Sequence, residues 1–293
     1  MPAISAVIPT WNGLHLLEPC CRSLWETTSA DELRIVVVDN GSTDGTVDWL
    51  REREAEGRLV AILNDANLGF ARATNQGIRA SDGDILLLNN DIVALPGWLE
   101  PLRDALRRDP RAAASGSLLL YPGRRLVQHA GVRIGRIDGQ MKVYHPWQRR
   151  LLESVPEARE IHEMKAVTAA CMLLRREALD EVGLLDESFV NGYEDVDLCL
   201  RLFERGWKLV YRGDSVLEHH ESVTKGRHDR EAENRALFFG RWCDRIPPDR
   251  VDADCRAEMQ ENDRRRRFLL DPTEPWNIRR MVPLLLRRGA REE

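Results

Sequence analysis

Four short apolar runs, Ile4–Pro9, Ile35–Val38, Leu59–Leu63 and Ile85–Leu88, constrain this chain most, because each ends in polar or turn-forming residues and helical patterns separate them. After the first run, Leu16, Leu17, Cys20, Cys21, Leu24 and Trp25 fall on one helical face, and Val47 with Leu50 mark a second helix that Ser42, Thr43 or Asp44 can cap. Phe70–Ala80 reads as a third helix. Near-continuous apolar strands alternating with helices predict an α/β chain with a mostly parallel sheet covered on both faces. Ligands of such sheets bind along the edge where the strands end. Thr10, Asn12, Asp39, Asn40, Asn90 and Asp91 fall on that edge.

Beyond residue 110 the pattern changes. Ala112–Tyr144 holds short β-like runs broken by glycines, and residues 145–165 are polar. Ala166–Leu174 reads as a strand entering the core and Arg175–Val182 as a helix. Glu194–Arg205 is an amphipathic helix that stops at Gly206. Trp207–Tyr211 and Ser215–Glu218 read as two strand pieces leading to His219-His220. The expected organisation is therefore residues 1–228 as one domain, with a nucleotide-binding half (1–110) and an acceptor half (111–228), followed by a helical, charged extension (229–293).

The net charge of −5 argues against binding nucleic acid through the whole surface. From Met259 to Glu293 nine Arg face six Asp and Glu, a local +3, which leaves −8 for the rest. The six cysteines form no CxxC pair and no metal-ligand spacing, so they read as reduced, mostly buried thiols. No basic-then-apolar leader opens the sequence, and Met281–Leu286 is far shorter than the roughly 20 residues of a membrane span. The expected setting is cytoplasmic. Arg264–Arg267 with MVPLLLRR offers either a peripheral contact to anionic lipid or a partner, or a plain charged helical tail.

Three clusters have the residue types of group-transfer chemistry. Asn89-Asn90-Asp91 puts a carboxylate at the end of a buried strand, suited to a hard cation such as Mg²⁺ or Mn²⁺ and equally to a turn. Glu194-Asp195 opens a helix, where acids either serve the helix dipole or act as a base. Asp197 is expected on the surface or in the cap. His219-His220 ends a strand, and Thr224, Lys225 and Arg227 can offer hydroxyl and cationic groups to phosphate. Trp11, Trp98, Trp147 and Trp207 suit packing more than stacking on a ligand. A nucleotide-dependent dehydrogenase fits poorly, since the first strand runs into Pro-Thr-Trp-Asn-Gly instead of GxGxxG and no P-loop occurs. A sugar nucleotidyltransferase, lacking its glycine-rich basic loop, and a non-catalytic nucleotide-sugar-binding protein remain as alternatives.

VIPTWNG, IVVVDNGSTDGT, NLGFARATNQG, ILLLNNDI, GLLDESF, YEDVDLCLRLFERGW and HHESVTKG, in that order over roughly residues 4–226, closely resemble glycosyltransferase family 2. The variant resembles the one found among rhamnosyltransferase-like enzymes of bacterial surface polysaccharides. The resemblance implies a Rossmann-like GT-A fold and inverting transfer from a dTDP- or UDP-sugar, dTDP-rhamnose first, to the hydroxyl of a glycan or lipid-linked glycan. Asn89-Asn90-Asp91 stands in place of the family's DxD motif with Asn in the first position. The resemblance implies metal ligation by Asp91 and His219, with Asp195 as the base and Glu194 beside it on the acceptor. It assigns the donor nucleotide to Pro9, Thr10, Asn12, Asp39, Asn40, Ser42, Asn67, Gly69, Arg72, Asn75, Asn90 and Lys225. In that pattern Asp39 accepts from a pyrimidine N3–H, which uracil and thymine carry and cytosine does not.

Overall fold

The computed structural model describes residues 4–137, 140–220 and 230–249. Its elements run β1 (Ile4–Thr10), α1 (Leu14–Thr27), β2 (Leu33–Asp39), α2 (Thr46–Ala55), β3 (Val60–Leu63), α3 (Phe70–Arg79), β4 (Ile85–Leu88), β5 (Ile92–Ala94) and α4 (Leu99–Arg108). There follow β6 (Ala112–Leu120), β7 (Val127–His129), β8 (Arg133–Ile137), β9 (Gln140–Tyr144), β10 (Ile161–Met164), β11 (Cys171–Leu174), α5 (Arg176–Val182), α6 (Glu194–Glu204), β12 (Lys208–His219) and α7 (Glu231–Trp242).

The main sheet has the order β10-β12-β6-β11-β4-β1-β2-β3, with β5 added to β12 and β7 to β6. From β4 through β1 and β2 to β3 all neighbours are parallel, as the four apolar runs predict. Alternation along a strand sends Ala6 and Ile8 into one core and Val7 into the other. Two buried layers follow, and helices seal both. Beyond β4 the sheet is mixed, because β11 runs against both β4 and β6. β8 and β9 form a separate antiparallel pair.

The two strand pieces expected after Gly206 are one long strand, β12, whose register against β6 shifts between Arg212 and Val216. Gly213 sits at that irregularity, where a Cβ would come within 2.4 Å of the Arg159 carbonyl carbon, so only glycine lets the strand pass. The irregularity allows β12 to reach β5 and to set His219 opposite Ile92.

α7 opens the charged segment expected to follow the domain, yet it buries Phe238 and Trp242 in the same core as α6 residues Val196, Leu198 and Leu202. Among the described residues no helix is long and apolar enough to cross a membrane. Arg264–Arg267 and the MVPLLLRR stretch lie outside the described residues.

Candidate active site

The ends of β1 and β2 build the first wall. Asn12, at a positive φ of 47°, takes a hydrogen bond from Thr43 N onto Oδ1 at 2.7 Å, while its own N–H donates to Ser42 Oγ at 2.7 Å. Asn and Asp tolerate this left-handed backbone better than other residues with a Cβ, so the turn favours asparagine. Asp39 is fully buried; its Oδ2 accepts from Gly41 N (3.1 Å) and Ser42 N (2.9 Å). Its Oδ1 is buried and has no hydrogen-bond partner among the described residues. A buried carboxylate oxygen without a donor costs free energy unless a ligand supplies one. Asn40 joins this wall to the next, donating from Nδ2 to Gly69 O at 3.3 Å, and Asn67 Oδ1 accepts from Gly69 N at 2.9 Å to close the turn before α3. Pro9, next to last in β1, is half-buried, and Trp11 just past the strand is 37% exposed.

The turn after β4 supplies the second wall. Asn90 Nδ2 donates to Thr10 Oγ1 at 2.8 Å and lies where a Cβ on Gly13 would stand 2.7 Å away, so glycine leaves it room. Asp91 and His219 are both nearly buried, with Asp91 Oδ1 3.0 Å from His219 Nε2. Asn89 Nδ2 lies 3.3 Å from the same nitrogen. The opposite ring nitrogen, Nδ1, is 2.9 Å from Gln128 Oε1, an acceptor; with the ring proton on Nδ1, the Nε2 lone pair faces Asp91. Next to Gln128, His129 accepts from Thr168 N at 3.4 Å; burial first, then His145 and His219, hold its pKa well below the ordinary imidazole value.

A cation fits this pair. Two neighbouring ligands of an octahedral ion at roughly 2.0–2.1 Å stand about 3.0 Å apart, which matches the Asp91–His219 separation. Among the described residues no group of three or more His, Cys, Asp or Glu side chains could hold a metal. Phosphate oxygens or water would therefore complete the shell.

α6 brings the third wall. Tyr193 at φ 71° turns the chain into the helix, and buried Glu194 accepts from Gly192 N at 2.6 Å. Asp195, half-buried, accepts from Ala169 N at 3.0 Å on Oδ2 and from Val196 N at 2.8 Å on Oδ1. The next residue, Ala170, accepts from Asn89 N at 3.1 Å through its carbonyl. The Asp195 carboxylate is thus tied, through Ala169-Ala170, to the turn that carries Asp91. Each Asp195 oxygen keeps lone-pair capacity for another proton donor.

Several expected residues have other work. Asn75 is buried, giving Nδ2 to Leu185 O and Glu187 Oε1 at 2.9 Å each and taking Leu185 N at 3.1 Å on Oδ1. It braces α3 against the 185–187 loop, with both Nδ2 hydrogens engaged there. Arg72 pairs with Glu187 at 3.2 Å on an exposed face, so phosphate would have to compete with that carboxylate. Asp197, expected at the surface or in the cap, is fully buried: Arg241 (2.7 Å) and Trp242 Nε1 (3.0 Å) reach Oδ1, and Arg201 reaches Oδ2 at 2.9 Å. Lys225 lies outside the described residues. Gln128 and the Asp197–Arg241–Trp242 cluster were missed from sequence. The i,i+4 spacing of Asp197 and Arg201 was the one local signal for the cluster, and Gln128 had none.

Residues 5–183 match the family model described as glycosyl transferase family 2. The O-antigen biosynthesis protein RfbC of Myxococcus xanthus is 32% identical over 232 residues, 76% of this chain and 18% of that protein. The N-acetylglucosaminyl-diphospho-decaprenol L-rhamnosyltransferase of Mycobacterium tuberculosis is 32% identical over 212 residues, 66% of this chain and 68% of that one. Two of the curated relatives are far longer, and the chain spans only 26% and 18% of their lengths. The crystal structure of GalNAc-T7 with UDP, GalNAc and Mn²⁺ superposes with a TM-score of 0.61 at 17% identity, covering 89% of this chain and 54% of that one, a likeness of fold. With the sequence match spanning both the β1–β4 wall and β11, this chain belongs to glycosyl transferase family 2.

Proposed function

We propose that this chain transfers a sugar from a uracil- or thymine-bearing nucleoside diphosphate to an acceptor hydroxyl, with inversion at the sugar carbon. dTDP-rhamnose is the favoured donor and a lipid-linked glycan the favoured acceptor, in surface polysaccharide synthesis at the cytoplasmic face of a membrane. The similarity to a rhamnosyltransferase named for a diphospho-decaprenol acceptor supports both choices. One observation carries the reading: the Asp91–His219 pair and the Asp195 carboxylate are joined through a single two-residue backbone bridge.

The Asp39 Oδ1 acceptor suits the base N3–H, and Thr10, Asn12 and Asn90 line the same edge. Asp91 and His219 would hold Mg²⁺ or Mn²⁺, which when bound neutralises charge on the departing diphosphate. Asp195, oriented by two backbone N–H donors, takes the acceptor hydroxyl proton as that oxygen bonds the anomeric carbon and the carbon–diphosphate bond breaks. Attack from the face opposite the leaving group inverts the centre, and Glu194 at the helix start hydrogen-bonds the acceptor. Donor turnover is measured with dTDP-rhamnose and UDP-hexoses, with and without Mn²⁺. Wild-type turnover retained by Asp195→Asn would remove the base assignment, and full activity after EDTA would remove the metal.

A further inference from the structure

Between Tyr121 and Glu153 the chain carries six Arg and one Lys against one Asp and one Glu, a local +5, although the whole protein is −5 and the remainder is therefore −10. Part of this charge is gathered on one small platform. The loop after β6 and the loop after β9 pair through an antiparallel bridge between Leu126 and Leu151. Leu152 N donates to Arg125 O at 2.8 Å, Val127 N to Arg150 O at 2.9 Å and Arg149 N to Val127 O at 2.7 Å. Leu126 and Leu151 are 38% and 39% exposed, among the few large apolar side chains facing solvent within the described residues. Arg124, Arg125, Arg149 and Arg150 surround them, all exposed.

The backbone is strained where it presents this face. Arg124, Trp147 and Arg149 have φ of 60°, 58° and 64°, a left-handed region that residues with a Cβ seldom enter without a compensating role. Trp147 packs inward against the core, while the turns around it hold two leucines and four arginines at one surface. The platform is also coupled to the site by position. Leu126 precedes β7, whose Gln128 meets His219, and Arg124 Nε donates to Glu218 at 2.9 Å, one residue before His219.

We propose that this platform docks on an anionic lipid bilayer, the arginines meeting lipid phosphates and Leu126 and Leu151 entering the headgroup boundary. Interleaved cationic and apolar side chains suit that boundary, where charge attraction and shallow apolar burial add. A soluble polyanion would use the arginines and leave the leucines idle. The proposal rests on the lipid-linked acceptor reading and gives it a surface: a site beside the bilayer meets an acceptor whose lipid stays in the membrane.

Flotation of the full-length protein with phosphatidylglycerol-containing vesicles and with pure phosphatidylcholine vesicles tests it. Binding is expected only to the anionic vesicles, and to weaken between about 0.1 M and 0.5 M salt as charges are screened. The double variant R125Q/R150Q is expected to bind about 30-fold more weakly. L126S/L151S is expected to bind more weakly at both salt concentrations. Donor hydrolysis in solution stays at the wild-type rate in both variants, which separates failure here from failure of the transferase reading. Wild-type flotation by both variants would place any membrane contact elsewhere, such as Arg264–Arg267, and overturn the proposal. So would the absence of binding to anionic vesicles.

Discussion

The indole N–H of Trp242 donates to Asp197 Oδ1 at 3.0 Å, linking the end of α7 to the first turn of α6 two residues from Asp195. Arg241 at 2.7 Å and Arg201 at 2.9 Å complete the set, so a fully buried carboxylate is held by three side chains. Removing it strands its donors. Because the two arginines are 27% and 22% exposed, the cost sits at the low end for a broken buried pair, about 3 kcal/mol for Asp197→Ala. A melting temperature lower by roughly 6–12 °C is expected in calorimetry. Asp197→Asn keeps one acceptor and recovers part of it. If Asp197 also positions Asp195, kcat falls in Asp197→Asn while the donor KM holds; a variant changed in stability alone would show a purely structural role.

Gln128 Oε1 lies behind His219 at Nδ1, where an acceptor orients a metal-binding imidazole. Gln128→Leu removes the acceptor without adding charge. Apparent Mn²⁺ affinity, read from the metal dependence of donor hydrolysis, is expected to fall about 10- to 100-fold. Unchanged metal dependence would show that His219 needs no such support.

Asp39 offers one occupied and one open oxygen. Asp39→Asn can keep its oxygen on Gly41 N and Ser42 N while placing an NH₂ where the open acceptor stood. Titration calorimetry is expected to show UDP and dTDP binding about 10- to 100-fold more weakly, the worth of a hydrogen bond to a charged group. CDP, whose N3 is an acceptor, should lose less or gain. Equal losses for all three nucleotides would count against the base contact.

Cys20, Cys21, Cys171 and Cys199 are all buried. Burial pushes the Cys21 and Cys171 thiols up to about 12 and raises those of Cys20 and Cys199 as well. A thiol whose pKa is raised this far holds its proton at pH 8, and the thiolate is the reactive form. Of six cysteines, native protein should therefore expose no more than two, Cys243 and Cys255, to a thiol reagent at pH 8, and all six after unfolding. Rapid labelling of a third thiol in folded protein would contradict the burial of this core.

Local patterning alone determined the parallel half. Ile4–Pro9, Ile35–Val38 and Ile85–Leu88 are apolar on both faces and fill the centre of the covered sheet, while Leu59–Leu63, equally apolar, forms the half-buried edge strand β3. The same patterning put Asp39 and Asp91 at the sheet's ligand edge, since a polar residue directly after such a strand has no room inside it. Tertiary structure decided what those residues touch. Asn75 and Arg72 read as donor contacts by motif, and both meet the 185–187 loop, more than a hundred positions away, Asn75 buried and Arg72 in an exposed ion pair. Asp197 reads as a surface acid until α7 arrives 44 residues later with Arg241 and covers it. Gln128 acquires its role because the irregularity at Gly213 lets β12 bring His219 beside β7. Local sequence records which face a residue prefers; long-range partners depend on how separate elements close on one another, and no window along the chain contains that.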